Sequence, residues 1–145
     1  MIARWYESLF PVLEELNIGY VAFSPLANGF LTDVIKHEEV FAEGDYRKFM
    51  PQYKQESFEK NKELLELIRN LANEKEVTSA QISLAWMLNK KPYIVPIPGS
   101  RKVSRIKENG MAVEIKLTSE EVKHIDEVLA RIPMFDVFGG SNIRK

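Results

Sequence analysis

Two short apolar runs interrupt an otherwise amphipathic chain. Tyr20-Val21-Ala22-Phe23 leads into Ser24-Pro25-Leu26 and closes at Ala27-Asn28-Gly29, while Tyr93 to Ile97 closes at Gly99-Ser100. Runs this short and continuous, bounded by turn residues, predict strands buried on both faces, the habit of a parallel sheet. Around them the period changes to that of a helix. Leu9, Val12, Leu13 and Leu16 predict a helix over 5–17, with Pro11 bending it or marking its first turn and Asn17-Ile18-Gly19 stopping it. Leu64, Leu65, Ile68, Leu71 and Ala72 share one face of an amphipathic helix over 57–75.

Thr78-Ser79-Ala80-Gln81 has the form of a capping box and predicts a helix over 79–90, with Ile82, Ala85, Trp86 and Met87 on its apolar face. Thr118-Ser119-Glu120-Glu121 repeats the pattern ahead of Val122, Ile125, Val128 and Leu129, predicting a last helix over 119–131. Between them, Arg101, Lys102 and Arg105 form the basic first turn of a further helix. Val113-Glu114-Ile115 is too short and too charged for a third strand. Residues 32–55 lack periodicity and read as a long loop, a class that is usually functional inside compact domains. The tail from Pro133 reads as a surface arm.

Strands separated by helices mean parallel βα units and an α/β fold. Two parallel strands cannot cover themselves, and a closed (β/α)8 barrel takes about 250 residues. The pattern therefore predicts a fold that is incomplete, swapped or completed by another chain.

Composition narrows the function classes. The chain has 145 residues, 45% of them hydrophobic, which suits one domain over 1–145 with a buried core. No run approaches the ~20 apolar residues that span a bilayer, and the N-terminus lacks a leader pattern, so no membrane partner and a cytoplasmic location are expected. With no cysteine and only His37 and His124, far apart, neither a disulfide nor a metal site is expected. A formal net charge of −1 gives no global attraction to nucleic acid. A helix-turn-helix is excluded as well, because a whole strand lies between the helices around ISLAWML and SRKVSRIKEN.

The chemistry concentrates in the loops that end the two strands. Ser24 to Gly29 offers a hydroxyl, an amide and a glycine that permits close backbone approach. Gly99 to Lys102 offers free amides at a helix start plus two cations. Each has a plain alternative, a core strand followed by a turn in one case and a helix start with solvated charges in the other. Taken together they suit a dinucleotide held along its pyrophosphate. Cations at a helix start oppose the macrodipole by roughly 0.3 to 1 kcal/mol each, a placement that a bound phosphate would justify.

The strings GYVAFSPLANGFLT, TSAQISLAWMLNKKPYIVPIPGSRK and RIKEN resemble the last strands and helices of bacterial aldo-keto reductases, in register over about residues 4 to 130. The resemblance implies the C-terminal portion of a (β/α)8 barrel and NADP as cofactor. It further implies that Phe23 stacks on the nicotinamide and that Ser24, Leu26 and Asn28 line the pyrophosphate. Gly99, Ser100, Arg101 and Lys102 would grip the ribose phosphate and select NADP over NAD, and Arg105, Glu108 and Asn109 would hold the 2′-phosphate and adenine. The family's catalytic Asp, Tyr, Lys and His come from earlier strands and have no equivalent here. Tyr46, with Arg47 and Lys48, only mimics a Tyr-Lys pair. Tyr6, Tyr20, Tyr53, Tyr93 and Trp86 are expected to pack, and His124 to lie on the surface. Asp33 stands where relatives more often have glycine. The implied function is the NADP(H)-binding part of an oxidoreductase acting on aldehydes or ketones, inactive alone and completed by an N-terminal half. The alternative is a non-catalytic binding or assembly module, or a truncated remnant, that forms homo-oligomers through its open barrel edge.

Overall fold

In a computed structural model, residues 8–35 and 41–132 of the chain are described. The first helix, α1 (Phe10–Glu15), carries Pro11 in its first turn, where a missing N–H leaves no bond unmade. Asn17, with φ of 54°, turns the chain out of it. Residues 5–7 of the expected helix lie outside the described residues. Strand β1 (Tyr20–Ala22) then pairs in parallel with β2 (Ile94–Pro96), in the register Tyr20 to Ile94, Val21 to Val95 and Ala22 to Pro96. The ladder extends past the strand ends, with Tyr20 N donating to Tyr93 O at 2.8 Å and Ile97 N to Ala22 O at 3.1 Å.

The expectation of strands buried on both faces is corrected. Ala22 and Ile94 face the core, whereas Val21 is 60% exposed, Phe23 71%, Val95 54% and Ile97 51%. Successive side chains alternate across a sheet, so these four share one open face. Neither strand has a second neighbour among the described residues. The apolar composition suits two covered faces, and among the described residues only one is covered.

After β1 the described residues form 3-10 helices at Ala27–Thr32, Tyr46–Phe49 and Pro51–Tyr53, so much of the expected long loop is turned structure. The single helix expected over 57–75 is two, α2 (Gln55–Lys60) and α3 (Lys62–Glu74). The break is at Asn61, whose backbone N and Nδ2 both donate to Ser57 O, at 3.0 and 2.8 Å. An asparagine that competes with the backbone for its own helix carbonyl breaks the run, and periodicity does not register this.

Helix α4 (Ser79–Lys90) has the expected reciprocal cap between Thr78 and Gln81. It is buried continuously from Ser79 to Met87, since α3, β2, two 3-10 segments and the later helices all pack on it. Helix α5 (Val103–Gly110) follows β2, and Met111–Glu114 forms a 3-10 turn where the weak strand candidate lay. Helix α6 (Ser119–Arg131) starts on the second expected capping box. Trp86 is buried as expected, and its Nε1 also donates to Asp126 Oδ1 at 3.0 Å, joining α4 to α6. His124 is exposed. His37, Tyr6 and the tail from Pro133 lie outside the described residues. Among the described residues no helix is long and apolar enough to cross a membrane.

Candidate functional site

Because β1 and β2 are adjacent and parallel, the loops that leave Ala22 and Pro96 emerge at the same end of the sheet. Phe23 stands exposed at that end, one residue beyond β1. The loop after it is held in an uncommon backbone form. Ser24, Ala27 and Asn28 have φ of 50°, 48° and 57°, and Gly29 has 102°. Left-handed residues other than glycine cost on the order of 1 kcal/mol each and persist only where their surroundings enforce them.

Those surroundings come from the segment after residue 40. Tyr53 is fully buried, and its hydroxyl donates to Asn28 O at 2.7 Å. Tyr46 donates to Asn28 Oδ1 at 3.3 Å. Phe41, at 4.6 Å between ring centroids, and Phe30, at 5.9 Å, pack edge-on against Tyr53. Arg47 lies 4.7 Å above the Phe41 ring and grips Asp45 through Nε and Nη2. That guanidinium holds the Asp45 carboxyl at about 2, and burial pushes the Tyr53 phenol up to about 12, so the phenol stays a donor throughout the neutral range. Gly29 is needed here for two reasons. Its φ is left-handed, and a Cβ would sit 3.2 Å from Ile35 Cδ1. Its place in the loop is explained by packing before any ligand is considered.

Asp33 also adopts a left-handed φ, 59°, a backbone form that glycine takes at less cost. It forms a two-point ion pair with Arg69 of α3, Nε to Oδ2 at 2.8 Å and Nη2 to Oδ1 at 2.7 Å.

The second loop departs from expectation. Helix α5 begins at Val103, so Arg101 and Lys102 precede its first turn, with Lys102 at the N-cap position. Ser100 Oγ accepts from Lys102 N at 3.1 Å. No side chain caps α5, and Gly99 to Lys102 are all exposed. Neither Arg101 nor Lys102 has an ion-pair partner among the described residues. Gly99 has no left-handed φ, and a Cβ on it would meet nothing within 4 Å. The open space beside it, and not its backbone form, is what glycine preserves.

Arg105 is the one basic residue of the group inside the first turn of α5. Its Nη1 reaches both carboxylate oxygens of Glu108 at 2.9 Å. Glu108 Oε1 also accepts from Thr78 Oγ1 at 2.9 Å, and Gln81 Nε2 donates to Glu108 O at 3.0 Å. The cap of α4 thus fixes the carboxylate of α5, while Asn109 is buried behind it. Leu26 is half-buried at the base of the first loop. Tyr46 is engaged with Asn28, so its resemblance to a Tyr-Lys pair has no geometric basis. The sequence marks Tyr53 as a packing residue and Thr78 as a cap. The partners that give them a second task are 25 and 30 positions away, and no local pattern signals them.

Comparison with known proteins agrees with this architecture. The aldo/keto reductase family model matches residues 2–130. The chain is 42% identical over 113 residues to aldo-keto reductase yakc [NADP(+)] of Schizosaccharomyces pombe, a match covering 78% of this chain and 33% of that protein. It is 36% identical over 134 residues to probable aldo-keto reductase 1 of Glycine max, covering 92% of this chain and 38% of the other. Among solved structures, a glycerol dehydrogenase of Gluconobacter oxydans superimposes with a TM-score of 0.72 at 26% identity, over 90% of this chain and 40% of that one. The chain belongs to the aldo/keto reductase family. It spans 33% to 38% of the curated relatives it matches, and its fold is an open portion of the (β/α)8 barrel of its structural neighbours.

Proposed function

We propose that this chain is the NADP(H)-holding part of an aldo-keto reductase. The observation that carries the reading is the pair of loops at one end of the parallel strands, one strained and clamped, the other exposed with two cations and no ion-pair partner for either among the described residues. Phe23 takes the nicotinamide face, and Ser24, Leu26 and Asn28 line the pyrophosphate. Gly99, Ser100, Arg101 and Lys102 receive the ribose phosphate, and Arg105, Glu108 and Asn109 the 2′-phosphate and adenine. The uncapped start of α5 adds backbone donors that suit an anion. When bound, the cofactor supplies the hydride for a carbonyl substrate, an aldehyde or ketone. This chain supplies orientation, and the proton donor belongs to strands outside it. Its setting is the cytoplasm.

The open face of Val21, Phe23, Val95 and Ile97 supports a second element of the reading. The remaining βα units of the barrel cover that face, supplied as a complementing portion of the enzyme. Sedimentation of the isolated chain as a stable, soluble monomer at micromolar concentration would count against this.

The test of the cofactor assignment is titration with NADPH and NADH, followed by nicotinamide fluorescence. NADPH is expected to bind more tightly, and Arg101→Ala to remove the preference, costing roughly 1.5 to 3 kcal/mol for a lost charged hydrogen bond. Equal affinity for both nucleotides, or a preference that survives the substitution, refutes it.

A further inference from the structure

The left-handed run at Ser24, Ala27 and Asn28 is strained and needs an external hold. One short contact on it comes from a residue remote in sequence. Tyr53 Oη donates to the backbone carbonyl of Asn28 at 2.7 Å from a ring with no solvent exposure, wedged between Phe30 and Phe41. Thr32 Oγ1 adds a second hold by donating to Gly29 O at 2.7 Å. The first contact is on the carbonyl, and so it sets the orientation of the peptide plane between Asn28 and Gly29 and hence where the Gly29 N–H and the Asn28 side chain point.

We propose that Tyr53 is a positioning residue for the nucleotide. Its hydroxyl locks the Asn28–Gly29 peptide so that the loop is already in its diphosphate-receiving form before ligand arrives. The inference rests on the NADP(H) reading above and adds to it a residue outside the loop that sets affinity without touching the ligand. The lock acts on both nicotinamide nucleotides alike, since the diphosphate is common to them, whereas the choice between them belongs to Arg101 and its neighbours. Pre-forming a loop raises affinity by removing the ordering cost from the binding step.

Tyr53→Phe, which keeps the ring and deletes the bond, tests this with two measurements on the full chain. The first is native-state amide exchange without nucleotide. The Gly29 and Leu31 amides, which donate to Leu26 O at 2.9 and 3.4 Å, are expected to exchange roughly tenfold faster while amides of α4 are unchanged. A uniform acceleration, the mark of a merely structural residue, or no acceleration overturns the proposal. The second is nucleotide titration, where affinity for NADPH and NADH is expected to fall together by roughly threefold to tenfold with their ratio preserved. Wild-type binding that Tyr53→Phe leaves unmoved overturns the positioning role alone. A wild-type chain that binds neither nucleotide overturns the NADP(H) reading and this role with it. Should Tyr53→Phe fail to fold, the wild-type chain decides by amide exchange with and without NADPH: Gly29 and Leu31 amides already protected without nucleotide are expected, and protection that appears only with nucleotide overturns the pre-formed loop.

Discussion

The chain contains its own control for the bond between Thr78 and Glu108. Two threonines cap two helices with the same reciprocal geometry, Thr78 on α4 and Thr118 on α6. They differ in burial, in the N3 partner (Gln81 against Glu121) and in one further bond. Thr78 Oγ1 also donates to Glu108 Oε1 at 2.9 Å, whereas Thr118 is exposed and among the described residues makes only its cap. Thr118→Ala should cost about 1 kcal/mol, the usual value for a lost threonine cap. Thr78→Ala loses a comparable cap and a hydrogen bond to a carboxylate worth ~1.5 to 3 kcal/mol when shielded. Half-burial puts the bond at the low end, and neighbouring terms do not add fully, so about 2 kcal/mol in all is expected. Urea unfolding of the two variants and the parent gives both numbers directly. In thermal unfolding, the difference corresponds to about 3 °C for a chain of this size. A double-mutant cycle of Thr78→Ala with Glu108→Gln should return about 0.5 to 1.5 kcal/mol of coupling. Equal costs for the two threonines, or a cycle that closes to zero, refute the view that the α4 cap anchors the Glu108 carboxylate.

Asp33 stands left-handed and pairs with Arg69, so Asp33→Ala should lose the pair and keep the strain, while Asp33→Gly loses the pair and relieves it. Asp33→Ala is expected to be less stable than Asp33→Gly by about 1 kcal/mol, and the reverse order of urea midpoints contradicts the strain argument. Asp45, lowered from 3.8 to about 2 by Arg47, binds fewer protons folded than unfolded, so its stabilising effect is complete above pH 3.8 and lost as pH falls through about 2. The stability gap between the parent and Asp45→Asn should therefore narrow across that interval; a gap independent of pH rules the linkage out. Val95→Asp lies on the open face at 54% exposure and should change the chain's own stability by less than ~1 kcal/mol, yet abolish assembly with the rest of the barrel. Assembly that tolerates the charge would show that this face is not the seam.

Short-range order was legible in the residues themselves. The capping boxes at Thr78 and Thr118, the helix stop at Asn17 and both apolar strands appear where local chemistry puts them, because a cap or a β-branched run acts within four or five positions. The family was legible in strings hardly longer, such as FSPLANGF and IPGSRK. Tertiary structure decided what depends on distant partners. Asn61 splits a helix that periodicity joins, and α5 starts two residues beyond Arg101. Val21 and Val95 stand open although their apolar character suits burial, since exposure depends on what packs against a face and not on the face itself. The hold of Tyr53 on Asn28 spans 25 positions, and only packing of the segment after residue 40 against the first loop brings the two together. A hydrogen bond between residues so far apart leaves no periodicity in the chain, and so it became visible only in three dimensions.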